Sequence, residues 1–255
     1  MRIRCVPCSG FRVRSAFLVR LSIAVVLVAT PAAAQIPEKF ENLQVLARDT
    51  PRAELVQRMR GFSFALNVRC EYCHEQRDPN TNPDFASDAR PAKNKAREML
   101  RMVQTINATL LPRVPSRVEP RVEVGCETCH HGLAIPKSLQ NTLLETIQAK
   151  GAPAAVEQYR DLRKTTMTFG RYNFGEWEIN ELARRLDEAG NRDAAQTMLE
   201  MNAEFYPESA AIDFMLGELF RTRGDTEKAI ARYRAALAKA PQHEGAKRRL
   251  AELTK

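Results

Sequence analysis

Between residues 50 and 68 the apolar side chains Leu55, Met59, Phe62 and Leu66 recur at helical spacing, which predicts an amphipathic helix. Thr50 stands where a capping residue belongs, and Pro51 at the first helical position. A second such helix is predicted over residues 90–111, opened by Pro91, with Ala96, Met99, Val103, Ile106 and Leu110 on one face and Met102 on a neighbouring one. Each helix therefore carries methionine on or beside its apolar stripe. After Pro136 the composition shifts to alanine, glutamate, arginine and leucine, and a longer period appears. Leu182, Gly190, Ala195 and Pro207 recur as Leu216, Gly224, Ala229 and Pro241, each displaced by 34 residues. The pattern as a whole predicts an all-α chain.

A period of 34 residues is that of tetratricopeptide repeats, and the second copy resembles their consensus at Leu216, Gly217, Phe220, Gly224, Ala229, Tyr233, Ala236 and Pro241. The first copy, from Glu176 to Pro207, is weaker, with Ala183 in place of glycine and Asn202 in place of a small residue. Small residues let the paired helices approach, and larger ones fill the space between repeats. A further hairpin is expected before these copies, turning at Gly151, and residues 243–255 read as a terminal capping helix. Because such arrays need about three units for a buried core, this one is expected to pack on the rest of the chain. Its groove would take a protein or peptide partner, or the array would only stabilise and space the N-terminal half.

The N-terminus changes the picture of charge and location. Arg2, Arg4, Arg12, Arg14 and Arg20 precede or flank an apolar run from Leu21 to Val28, followed by Ala32, Ala33 and Ala34 ahead of Gln35. This reads as an export signal cleaved after Ala34, which would place the mature chain in the periplasm. The apolar run is shorter than the roughly 20 residues of a comfortable span; an uncleaved membrane anchor, with peripheral membrane association, is the alternative. Removing five arginines and no acid takes the formal charge from +8 to +3. The basic balance is thus a weak argument for nucleic acid, and with Trp177 the sole tryptophan there is no aromatic platform for it either.

Cys5 and Cys8 would leave with the signal, and the other four cysteines lie in two copies of one motif. These are Cys70-Glu71-Tyr72-Cys73-His74 and Cys126-Glu127-Thr128-Cys129-His130. Cys-x-x-Cys-His is the attachment pattern of c-type haem: two thiols one helical turn apart add to the two vinyl groups, and the histidine aims its imidazole at the iron. Two covalent haem c groups are therefore expected, with His74 and His130 as iron ligands. A four-thiolate zinc site or a disulfide framework would not require a histidine after each pair. His131 cannot reach the far side of the haem beside His130, and His243 lies in a distant segment. Methionine is left to complete both irons, an arrangement that raises the reduction potential. The pattern alone leaves Met59 either a ligand or core filling.

The stretches "LVQRMRGFSFALNVRCEYCH", "FASDARPAKNKAREMLRMVQTIN" and "VGCETCHHG" resemble the cytochrome subunit of photosynthetic reaction centres, and more closely the shorter dihaem proteins that share its unit of methionine helix, turn and haem motif. The similarity covers approximately residues 38–136. It implies that Met59 and Met99 are the axial ligands, with Met102 the competitor of Met99. The chain departs from that subunit in having two motifs rather than four. It also lacks the histidine that serves another haem between the second methionine helix and its motif, so direct service to a reaction centre is not implied. His131 stands where arginine is common, solvated or packed against a propionate.

The layout expected from sequence is a signal at 1–34, a dihaem cytochrome c domain at 35–137, a linker and first hairpin at 138–174, and repeats with a capping helix at 175–255. The function expected is electron shuttling between redox partner proteins, with no catalytic residues. The alternatives are a dihaem enzyme such as a peroxidase, with one open iron, and a haem-based redox or gas sensor scaffold.

Overall fold

The computed structural model describes residues 37, 39–78, 81–115, 123–167 and 170–254. The expected signal and its cleavage site lie outside them. From Pro37 onward the chain forms one unit, and among the described residues it is all-α. Its ten α-helices are α1 (Arg52–Leu66), α2 (Pro91–Thr105), α3 (Cys126–His130), α4 (Leu139–Lys150), α5 (Ala152–Thr166), α6 (Glu176–Glu188), α7 (Arg192–Phe205), α8 (Ala210–Thr222), α9 (Thr226–Lys239) and α10 (Glu244–Leu253). The β-type pairing among these residues is a single bridge between Glu75 and Asp84. No described helix is long and apolar enough to cross a membrane.

Helices α4 to α9 pack as consecutive hairpins, α4 on α5, α6 on α7 and α8 on α9, with α7 against α8 and α10 closing on α9. Side-chain caps set where these helices begin. Ser138, Asn191, Ser209 and Asp225 each accept from the backbone N–H three residues on, satisfying a donor that the helix itself leaves open. One core runs through this region, from Leu139 to Ala246.

Helices α8 and α9 pack closely: a β-carbon at Gly217 would lie 2.6 Å from Cε1 of the fully buried Tyr233. One period earlier the corresponding residues are Ala183 and Leu199, both buried. The smaller Leu199 leaves room for the methyl group that Tyr233 forbids, which explains why the weaker copy tolerates alanine in place of glycine.

The N-terminal half is built differently. Before Leu139 only Leu55 and Ala65 are fully buried hydrophobic residues among those described, and α2 buries just Arg97. Thr50 does not cap α1: its hydroxyl donates to the Ala47 carbonyl, and the helix begins at Arg52 with Pro51 as its cap residue. The second amphipathic stretch is helical as expected, but α2 widens into a π-turn at Ile106–Leu110 and then tightens into a 3-10 turn at Leu111–Arg113.

Candidate functional site

The second motif forms the whole of α3. Thr128 Oγ1 accepts from the Gly125 N–H at 3.0 Å, which closes the first turn and places Cys126 and Cys129 one turn apart. His131 ends the helix in the left-handed region, with φ 48°. The chain then doubles back, so that Leu133 N–H donates to the His130 carbonyl at 2.8 Å and Gly132 N–H to the Ala65 carbonyl of α1 at 2.8 Å.

This reversal brings the Leu133 carbonyl within 2.7 Å of His130 Nδ1. A carbonyl can only accept, so Nδ1 is the donor in this contact and Nε2 is the nitrogen left to face a metal. Metal-bound histidines are oriented by such a contact. Asn107, in the π-turn after α2, donates to the Val124 carbonyl at 2.9 Å and accepts from the Val124 N–H at 2.8 Å. The methionine-bearing helix is thereby tied to the entry of the second motif.

The first motif is a 3-10 turn, Cys70–Tyr72, entered through Asn67 in the left-handed region that closes α1. His74 N–H donates to the Cys70 carbonyl at 2.9 Å. The His74 ring meets Phe85 edge-on at 5.0 Å. Phe85 belongs to a loop that α2 holds from beneath, since Lys93 Nζ donates to the carbonyls of Phe85, Ala86 and Ser87 and pairs with Asp88 at 3.1 Å.

Asp88 also pairs with the buried Arg97 at 2.9 Å. The hydrogen bonds from Arg97, Asn42 and Lys93 hold its carboxyl well below the usual carboxylate range. Burial pushes the His74 pKa down, and the nearby Lys93 charge pushes it the same way, so the neutral imidazole that a metal requires is favoured. Its Nδ1 is buried and meets no geometrically sound hydrogen-bond partner. The two histidines thus differ: His130 is oriented by a carbonyl, and His74 by packing.

Cys70, Cys73, Cys126 and Cys129 form no disulfide with one another. Burial, and after it the neighbouring Cys70, raises the pKa of Cys73; burial, and after it Glu127, raises that of Cys126. Among the described residues no three His, Cys, Asp or Glu side chains converge as a metal cluster would require. The thiols therefore remain two separate pairs, each with its own histidine, which suits two haem groups and not one tetrahedral zinc. Apolar side chains of the same half of the chain stand open. Phe64 is 84% exposed, and Tyr72, Met99, Met102 and Leu110 are close to half exposed. Met59 is part-buried on α1. Met99 and Met102 are equally accessible, so exposure does not choose between them. His243 is committed elsewhere: its Nδ1 caps α10 at the Ala246 N–H, and its ring lies 4.7 Å from Phe214.

Paired thiols at the turn before each imidazole, with one imidazole oriented through Nδ1 and the other part-buried with its pKa lowered, define a c-type haem protein. Residues 19–179 match the photosynthetic reaction centre cytochrome C subunit family. The chain belongs to that family. It is 38% identical over 90 residues to cytochrome c-554 of Chloroflexus aurantiacus, a match covering 35% of this chain and 20% of that protein. It is 30% identical over 118 residues to the photosynthetic reaction center cytochrome c subunit of Rubrivivax gelatinosus, covering 44% and 29% respectively. The chain spans less than a third of the length of either relative.

The motifs name the cysteines and histidines, and nothing in their pattern names the groups that hold them in place. The Leu133 carbonyl is a backbone group, and no side-chain pattern announces it. Asn107 and Lys93 act through carbonyls and N–H groups in turns whose course only the fold reveals.

Proposed function

We propose that this protein is an exported dihaem electron carrier, with one haem c bound through Cys70 and Cys73 and the other through Cys126 and Cys129. His74 and Met59 hold the first iron, and His130 and Met99 the second. The haem iron supplies a one-electron couple, and the chain's residues fix its ligands, orient the imidazoles and shield the group from water. Methionine and burial both favour the ferrous state and set a raised potential. The C-terminal hairpins form a short tetratricopeptide-like array that docks a redox partner protein.

The observation that carries this reading is the His130 Nδ1 contact with the Leu133 carbonyl, 2.7 Å, because it presents Nε2 as a ligand beside a pair of thiols. Family membership supports it, and the electron-transfer role follows from the same kinship.

The ligand assignment is tested by alanine substitution at Met59, Met99 and Met102 in the holoprotein. Met59→Ala and Met99→Ala are each expected to give one high-spin iron that binds carbon monoxide when reduced, with both haems still covalently attached. Met102→Ala is expected to leave the spectrum unchanged. The reverse result for the last two makes Met102 the ligand. The rival reading, an enzyme with an open second iron, draws on the 48% and 46% exposure of Met99 and Met102. A high-spin ferric haem and rapid peroxide turnover in the unmutated protein would decide for it.

A further inference from the structure

The second motif is walled by a residue from beyond the helix that follows it. The loop between α5 and α6 returns to α3 and lays Arg171 against Gly132, two residues after His130. Gly132 has φ +77°, and a β-carbon there would sit 3.3 Å from Arg171 Nη2 and 3.5 Å from its Nε. Position 132 therefore favours glycine by its backbone conformation, and the guanidinium lies in van der Waals reach of it. Arg171, His131, Lys137 and Cys129 line a cleft of about 520 Å³.

The charges in this cleft are unequally satisfied. Lys137 pairs with Glu145 at 2.7 Å. Glu178, also on the wall, accepts from Gln140 at 2.9 Å. Arg171 makes no ion pair or hydrogen bond with any described residue, and its Nε is buried with no partner. A buried guanidinium N–H without an acceptor is costly, and a planar guanidinium matches a carboxylate.

The residues just after Arg171 are anchored. Phe174 is buried, its carbonyl accepts from Arg163 Nη1 at 3.1 Å and from the Tyr206 hydroxyl, and Asn173 Oδ1 accepts from the Gly175 N–H at 2.8 Å. Arg171 thus stands three residues before an anchored, buried Phe174.

We propose that Arg171 is a positioning residue of the second haem: it supplies the cation that pairs with a haem carboxylate at that site and raises the potential of that iron. The proposal rests on the dihaem reading above. A fixed positive charge favours the ferrous over the ferric state, and an unpaired carboxylate does the opposite. By this contact the helical hairpins become part of the redox site rather than an appendage to it.

The test uses the full-length holoprotein, after its intact mass has shown two haems, so that failure of the dihaem reading is recorded separately. Potentiometric titration followed in the visible spectrum resolves two one-electron steps. Arg171→Gln is expected to shift one step about tenfold toward the ferric state, about 59 mV for one electron, leaving the other step and the haem content unchanged. Arg171→Lys is expected to restore most of the shift, and Lys137→Gln to cause none.

Equal displacement of both steps, or haem loss in both Arg171 variants without any change in potential, would assign Arg171 a merely structural role and overturn the proposal. So would the same shift from Lys137→Gln, which would mark a general surface-charge effect. Titration of the unmutated protein with inorganic phosphate separates a solute anion from the haem carboxylate. The potentials are expected not to respond; a phosphate-dependent step that Arg171→Gln abolishes would give Arg171 to a solute and likewise overturn the proposal.

Discussion

The two halves of the described chain are both helical, yet only one has a core made of protein. From Leu139 to Ala246 the buried side chains form one cluster, with Tyr159, Tyr233, Leu143 and Ile179 wholly enclosed. Among the described residues from Pro37 to Lys137 the fully buried hydrophobic side chains are Leu55 and Ala65, while Phe64, Tyr72, Met99, Met102 and Leu110 are exposed. The second half has paired each apolar face with another helix. The first leaves apolar side chains unpaired on the same stretch of chain that carries the paired thiols. A prosthetic group fixed at each motif would complete that half as leucine and tyrosine complete the other.

The largest expected effect comes from removing attachment. Replacing Cys70, Cys73, Cys126 and Cys129 with serine should leave residues 37–137 without a core, so that protease cuts there rapidly while the hairpins from α4 onward keep their helical circular dichroism. Equal resistance of both halves would break the comparison. Next in size, Tyr233→Ala should cost the protein roughly 3–5 kcal/mol in chemical denaturation, since it empties a wholly buried site. The visible spectrum should not change.

Gly217→Ala forces a methyl group into the Tyr233 ring and is expected to cost about 1–3 kcal/mol. The double variant Gly217→Ala, Tyr233→Leu copies the Ala183 and Leu199 pair of the preceding repeat. It should be more stable than the two single losses sum to, because the residues share one space. Simple additivity would show that the two sites do not interact.

Asn107→Ala removes both bonds to Val124 and is expected to cost about 1–3 kcal/mol, with the spectrum of only one haem disturbed. The smallest effect concerns pH. Burial works against ionising Glu218, but Arg221, Tyr233 and Arg249 outweigh it and hold its pKa below the ordinary 4.5. A carboxylate with a lowered folded pKa stabilises above its unfolded pKa and loses that contribution as pH falls through the folded value. Stability should therefore decline below about pH 4.5 by an increment that Glu218→Gln abolishes, as thermal melts across that range would record.

What the sequence disclosed was whatever is local or periodic. The haem motifs occupy five consecutive residues each, and the methionine helices and the hairpins follow from spacing alone. Ala183 looked like a defect in the first repeat until Leu199 was seen to stand where Tyr233 stands in the second. What stayed hidden depends on chain reversals: the Leu133 carbonyl beneath His130, the Lys93 amine beneath the Phe85 loop, and Arg171 returning from the far end of a hairpin. Thr50 misled because its hydroxyl found the Ala47 carbonyl instead of the helix. Met99 and Met102 remain unresolved by pattern since three residues along a helix keep both on nearly one side, and their similar exposure adds nothing to the choice.

The mass of the intact protein, purified from a host that matures c-type cytochromes, tests the missing core most directly. Two haem masses added covalently to the polypeptide are predicted. A polypeptide free of haem but protected from protease throughout residues 37–137 would contradict it, for that half would then have found a core of its own.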